Sequence, residues 1–208
     1  KSIRKLNVAN TQFKDLSVLR NMPLEWLDLA NSGVHDFGLL STFDCKTLNL
    51  SGTQIKDLSA LAGMPLTGLR IGDVRARGYE VLRELPLVSL TAAGSSLEDL
   101  SSVASPSLKV LDVSQTKVSD LTPIAKMPAL EVLAISHSQI QDLGALSGQN
   151  LRSLTCRGYA VDTLRPLIRM GRLDAINTDN PEQPEMLPVL FRIPGLVKVN
   201  GKPRAFWK

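Results

Sequence analysis

Aromatic side chains are scarce in this 208-residue chain, where five Phe, two Trp and two Tyr make up only 4% of the residues. Any core must therefore be aliphatic, and 35 Leu are present to build it. No apolar run approaches the roughly 18–20 residues that a membrane-spanning helix needs, which excludes a spanning segment of that kind. Charge of one sign is not in large excess either: 24 Lys+Arg against 20 Asp+Glu leaves +4, ordinary for a folded chain and unlike a disordered one. That small excess is uneven. Residues 1–150 carry 14 basic against 15 acidic side chains and residues 151–208 carry 10 against 5, so all the basicity lies in the last 58 residues. A nucleic-acid binder would show a basic stripe with aromatics interleaved for stacking, and their scarcity argues against that class. The chain opens on Lys1 rather than Met, as expected of a piece of a longer protein, and its compartment stays open.

What the sequence does have is a repeat. Aligned on an apolar residue followed by x-x-L-x-L-x-x-(S/T)-x-(V/I)-x-D-L-x-x-L, successive copies begin at Ile3, Leu24, Cys45, Leu66, Leu87, Leu108, Leu130, Leu151 and Leu173. The spacing is 21 or 22 residues throughout. Self-similarity at such a period means stacked supersecondary units. Within a unit, Leu111-Asp112-Val113 alternates apolar and polar, the signature of a short strand with one buried face. Asp15, Asp57, Asp99 and Asp120 then stand where a carboxylate can accept from the free N–H groups that open a helical turn. Met22-Pro23, Met64-Pro65 and Met127-Pro128 end that turn, because the residue before proline avoids the helical region. One unit cannot bury its apolar face alone. About five aliphatic side chains per rung, at roughly 1.5–3 kcal/mol each, offset a chain entropy of about 1–2 kcal/mol per residue only when neighbouring rungs share a core.

This pattern resembles the leucine-rich repeat family, in particular its short bacterial, internalin-like type with the signature L-x-x-L-x-L-x-x-T-x-(V/I)-x-D-L-S-x-L, over residues 1–180. The resemblance implies an α/β fold: a right-handed solenoid of 21–22-residue repeats with parallel strands, short 3-10 or helical turns and a C-terminal cap at 181–208. Thr11, Ser32, Thr53, Ser95, Thr116 and Ser138 stand where most of that family has Asn, and Val74 and Tyr159 break the column, so repeats four and eight are expected to bend differently. The ending LVKVNGKPRAFWK (Leu196–Lys208) is similar to the one that closes repeat tails of planctomycete- and verrucomicrobial-type bacterial proteins, often joined to a serine/threonine kinase domain. It implies an accessory repeat region of such a protein, although the chain has no kinase motif of its own. Before that ending, PEMLPVLFRI (Pro184–Ile193) reads as an amphipathic helix whose Met186, Leu187, Leu190 and Ile193 cover the last rung, with Phe206 and Trp207 packed beside it. Ile3 already begins a repeat, so further chain or a partner is expected over the first rung.

Catalytic and metal chemistry finds little support. Cys45 and Cys156 occupy apolar slots five rungs apart, about 24 Å at strand spacing, too far for a disulfide and expected as buried free thiols. His35 and His137 are likewise five rungs apart and cannot share a metal. Asp15, Asp57, Asp99, Asp120 and Asp142 recur at one offset and so read as caps rather than as acids of a triad. Gly72 and Gly78 lack the Gly-Lys-Ser/Thr that a phosphate loop requires. No cofactor and no enzymatic activity are expected.

Arg165, Arg169 and Arg172 recur at helical spacing and predict a basic helix face beside Arg152 and Arg157. The stronger candidate is the outward strand face, the concave surface on which these solenoids usually bind partners. Trp26, Asp28, Arg70, Asp73, Asp112, His137 and Arg157 are the candidate partner-binding residues. Trp26 leads, because an aromatic that the period places toward solvent is either an interface anchor or a contact to preceding chain. The expected function is a non-catalytic protein-interaction scaffold. The alternatives are an intramolecular regulatory element docking on adjacent domains, and an anion or carbohydrate binder using Arg70, Arg152 and Arg157.

Overall fold

The computed structural model describes residues 3–207, so Lys1, Ser2 and the Lys208 that closes the C-terminal motif lie outside the described residues. Each repeat contributes a three-residue strand: Lys5–Asn7 (β1), Trp26–Asp28 (β2), Thr47–Asn49 (β3), Gly68–Arg70 (β4), Ser89–Thr91 (β5), Val110–Asp112 (β6), Val132–Ala134 (β7), Ser153–Thr155 (β8) and Ala175–Asn177 (β9). Two more, Lys198–Val199 (β10) and Lys202–Pro203 (β11), complete one eleven-stranded sheet ordered as in the sequence. Pairing is parallel through β10, and only the β10–β11 pair is antiparallel. The 21-residue period sets each rung directly over the last. Leu27, Leu48, Leu69, Leu90, Leu111, Leu133, Leu154 and Ile176 are Cα partners in one column and are all buried.

The strands are short because each chain turns immediately afterwards through a left-handed residue. Asn10, Asn31, Asp73, Gln115, His137 and Asn180 take φ between 41° and 58°, and Gly52, Gly94 and Gly158 hold the same repeat position with positive φ. Glycine and short polar residues tolerate this region best, which accounts for most of the column. Past the bend, Thr11, Thr53 and Thr116 each donate the hydroxyl to the carbonyl three residues back, at 2.6 Å. The repeat's Ser/Thr thus serves the bend through a single donor.

The Asp column caps the turns as the spacing predicts. Asp15, Asp57, Asp99, Asp120 and Asp142 accept from the backbone N–H two residues on at 2.7–2.9 Å, and Asp36 does the same to Gly38 at 3.0 Å. Hydrogen bonds from Ser17, Ser59, Ser101 and Thr122 hold the carboxyls of Asp15, Asp57, Asp99 and Asp120 below the usual carboxylate range, with Asp57 reaching about 2 under the added donation of Arg77. A carboxylate with a depressed folded pKa stabilises the fold above its unfolded value, about 3.9, and loses that contribution as the pH falls through the folded value. Urea midpoints are therefore expected to hold steady above about pH 4 and to fall toward pH 2. A midpoint that does not change between those limits would remove the capping role.

Repeats four and eight do bend differently. In repeat four Val74 offers no hydroxyl and Gly78, at φ 79°, replaces the capping Asp; a longer 3-10 turn follows at Tyr79–Glu84. Ser96 of the next rung stands in, donating to Ala76 O at 3.0 Å and accepting from Ala76 N at 3.2 Å. Arg77 reaches back to Asp57 at 2.8 Å. In repeat eight the Tyr159 hydroxyl donates to Ile135 O at 2.9 Å and lies 2.6 Å from Ser138 Oγ, so one phenol ties two rungs.

The same repeat corrects the expected basic helix face. Its α-helix is a single turn, Val161–Leu164 (α1), followed by a 3-10 turn at Arg165–Arg169. Pro166 has no N–H to continue the α-helical ladder, so the helix does not run to residue 172. Arg165 pairs with Asp162 at 2.6 Å and Arg172 with Asp174 at 3.6 Å, which leaves no continuous basic stripe.

At the far end Met186–Leu190 (α2) lays Met186, Val189 and Leu190 over the last rungs together with Ile193. Val189 takes the place expected for Leu187, which is half-buried. Asn200 and Gly201, at φ 49° and 74°, turn the chain from β10 into β11. The Asn200 amide clasps the previous rung, accepting from Thr178 N at 2.8 Å and donating to Thr178 O at 2.9 Å. Trp207 packs against the core and donates Nε1–H to Val199 O at 3.3 Å, whereas Phe206 is not packed as expected but is 59% exposed. The first rung has a neighbour on one side only, and Ile3 is 51% exposed there with Leu6, Val8 and Phe13 half-buried.

Candidate functional site

On the outward strand face, side chains fall into columns one rung apart, and hydrogen bonding decides which are free. Asn7, Asp28, Asn49 and Asp112 each turn the Oδ1 oxygen back to accept from the backbone N–H two residues on, at 2.8–3.1 Å. These bonds satisfy an amide that the sharp bend leaves without a ladder partner. Two rungs lacking such an Asx residue use a serine of the preceding rung: Gly72 N–H donates to Ser51 Oγ at 3.2 Å and Arg157 N–H to Ser136 Oγ at 3.0 Å. Asp28 and Asp112, both expected as partner contacts, thus spend one oxygen on the fold and keep the other for a ligand.

That division releases Arg70. In β4 it occupies the Asx column, is exposed, and has its structural task done by Ser51; no described carboxylate lies within ion-pair distance. Trp26 in β2 is half-buried but is not among the side chains packed against the core, and it stands on the face between Lys5 and Thr47. Asp73 is exposed at the left-handed bend of the Arg70 rung, with its carboxylate over Gly94 of the next rung: a Cβ on Gly94 would lie 2.3 Å from Asp73 Oδ1. His137 sits one column with Asp73 and leans likewise over Gly158, where a Cβ would lie 2.6 Å from its Nδ1. Arg157 is exposed one position before that column.

Trp26, Asp28, Arg70 and Asp73 therefore lie within three consecutive rungs, while Asp112, His137 and Arg157 occupy rungs six, seven and eight. Arg152, offered for an anion site, does not join Arg70 and Arg157. It pairs with Asp174 at 3.3 Å and Glu131 at 3.8 Å in a ladder of alternating charge along the edge of the sheet. Neither this ladder nor the left-handed column was read from the sequence, although both recur at the period.

Nothing gathers reactive groups elsewhere. Cys45 and Cys156 are free and fully buried, and burial raises their thiols to about 11 and about 12. Among the described residues no cluster of three or more His, Cys, Asp or Glu is placed to hold a metal ion, and no helix is long and apolar enough to cross a membrane. A hollow beside the bend is lined by Ser119, Ser138, Gln139, Ile140 and Gln141, none of them ionisable.

The chain matches the family described as Leucine Rich repeats (2 copies) over residues 106–148. No curated protein matches it. Among solved structures it is similar to an internalin C2 from Listeria monocytogenes, at 28% identity and a TM-score of 0.69, covering 74% of this chain and 71% of that one. An internalin, InlF, from the same organism superposes with a TM-score of 0.72 at 23% identity, covering 95% of this chain and 61% of the other. The InlJ functional domain of Listeria monocytogenes, which includes a cysteine ladder, gives 0.60 at 17% identity, with 84% and 41% covered. The latter two show a common fold, and this chain spans less than two thirds of each.

Proposed function

Because the chain is a leucine-rich-repeat solenoid with internalin-like repeats, we propose that it is a non-catalytic scaffold that binds a protein partner on its outward strand face. The observation that carries this reading is the release of Arg70: on a face whose polar side chains mostly serve the bends, a long cation is left free two rungs from an outward tryptophan. Stacked repeats offer extended surfaces of this kind for recognition. Trp and Arg dominate interface energetics, while small neighbours such as Thr47, Gly68 and Ser89 mainly exclude water. Two rungs span about 10 Å, within reach of one partner segment, and Asp28 and Asp73 beside the pair fix its orientation by charge. Catalysis has no place in this reading, since His35 and His137 stand five rungs apart and both thiols are buried.

Photo-cross-linking tests the assignment. A photoreactive residue at position 70 is expected to capture a protein partner, whereas one at Lys117, where the side chain pairs with Glu98 away from the strands, is expected to capture none. The reverse pattern would move the interface off the sheet.

A further inference from the structure

The C-terminal end carries a second surface that the strand-face reading does not use. Between residues 191 and 207 the sequence has Arg192, Lys198, Lys202 and Arg204 and no Asp or Glu. Elsewhere the cations find carboxylates, commonly one rung away: Arg4 with Glu25, Arg77 with Asp57, Lys117 with Glu98 and Arg152 with Asp174. The cap lies beyond the last acidic rung, so its cations have no such neighbour, and none of the four makes an ion pair with a described residue. Two are nonetheless held in place by aromatic rings. The Lys202 ammonium sits 4.0 Å from the Phe206 ring centre and 5.5 Å from that of Trp207, and the Arg204 guanidinium lies 5.2 Å from the Phe191 ring while donating to Phe191 O. Phe206 and Trp207 meet edge to face at 5.1 Å, and Phe206 remains mostly exposed.

We propose that this end of the solenoid, built from Lys198, Lys202, Arg204 and Phe206, is a docking surface for an acidic peptide segment carrying an apolar side chain. Fixed, unpaired cations attract carboxylates and gain more from them than mobile ones, because less side-chain freedom is lost on binding. The exposed Phe206 edge supplies the apolar contact. A single-stranded nucleic acid, the other polyanion to consider, needs open ring faces for its bases. Here Lys202 occupies a Phe206 face and Trp207 is engaged with Phe206 and with the core, which favours carboxylates over stacked bases.

Fluorescence anisotropy on the full chain at low ionic strength tests this with a labelled oligoglutamate peptide bearing one central phenylalanine, against an oligothymidylate of equal charge. The peptide is expected to bind, to weaken about tenfold or more with Lys198→Glu/Lys202→Glu, to weaken several-fold with Phe206→Ala, and to stay within about twofold with the charge-matched Arg165→Glu/Arg169→Glu. No peptide binding, equal loss in both double variants, or tighter binding of the oligothymidylate would each overturn the proposal. Circular dichroism checks that the variants fold, and if Lys198→Glu/Lys202→Glu does not, Lys198→Gln/Lys202→Gln is read instead.

Discussion

Leu111→Ala is expected to cost about 2–5 kcal/mol of stability, the range for truncating a fully buried leucine where the surroundings collapse only partly. Leu111 is completely buried and is the Cα partner of Leu90 on one side and Leu133 on the other. Its removal opens a cavity between two rungs, and in a stack where each unit is held only by its neighbours the loss weakens both interfaces. Leu6→Ala, in the half-buried first rung with one neighbour, is expected to cost clearly less. Denaturant melts of the two variants measure the difference. Equal costs, or no loss at Leu111, would contradict the stacking register.

The two thiols are expected to resist alkylation in the native state. With pKa values raised by burial to about 11 for Cys45 and about 12 for Cys156, the reactive thiolate is rare at pH 8. Relative to an ordinary cysteine near 8.5, its fraction falls on the order of a hundredfold to a thousandfold before access is considered. Iodoacetamide should therefore label both only as fast as their rungs open, and rapidly in urea. Fast native labelling of Cys156 would place rung eight outside the packed stack.

The period made the stack readable in advance. Leucines 21 residues apart form the buried column, the Asp residues cap the turns, and Val74 and Tyr159 mark the two irregular repeats. The same Asp spacing continues at Asp36, which was passed over because it is followed by Phe37 rather than Leu. The division of labour on the strand face was not legible. Alternation tells which way Asp28 and Asp112 point, but not that a bend two residues later leaves an amide that their carboxylates must satisfy. The column containing His137 mixes Gly, Asn, Asp, Gln and His, and only its shared left-handed backbone makes it one column. Arg165, Arg169 and Arg172 matched a helical period, yet Pro166 and the short return of a 22-residue circuit left no room for two helical turns. At the cap, spacing alone could not choose between Leu187 and Val189 for the buried slot, nor foresee that Lys202 would hold Phe206 at the surface.

The claim that the strand face is the interface is tested most directly by measuring, on Trp26→Ala, the affinity for the protein captured from position 70 together with the melting temperature. Trp26 lies on that face without packing into the core, so the account predicts an affinity loss of at least about 1 kcal/mol with a nearly unchanged melting temperature. A lowered melting temperature with unchanged affinity would contradict it and make Trp26 part of the fold's N-terminal packing instead.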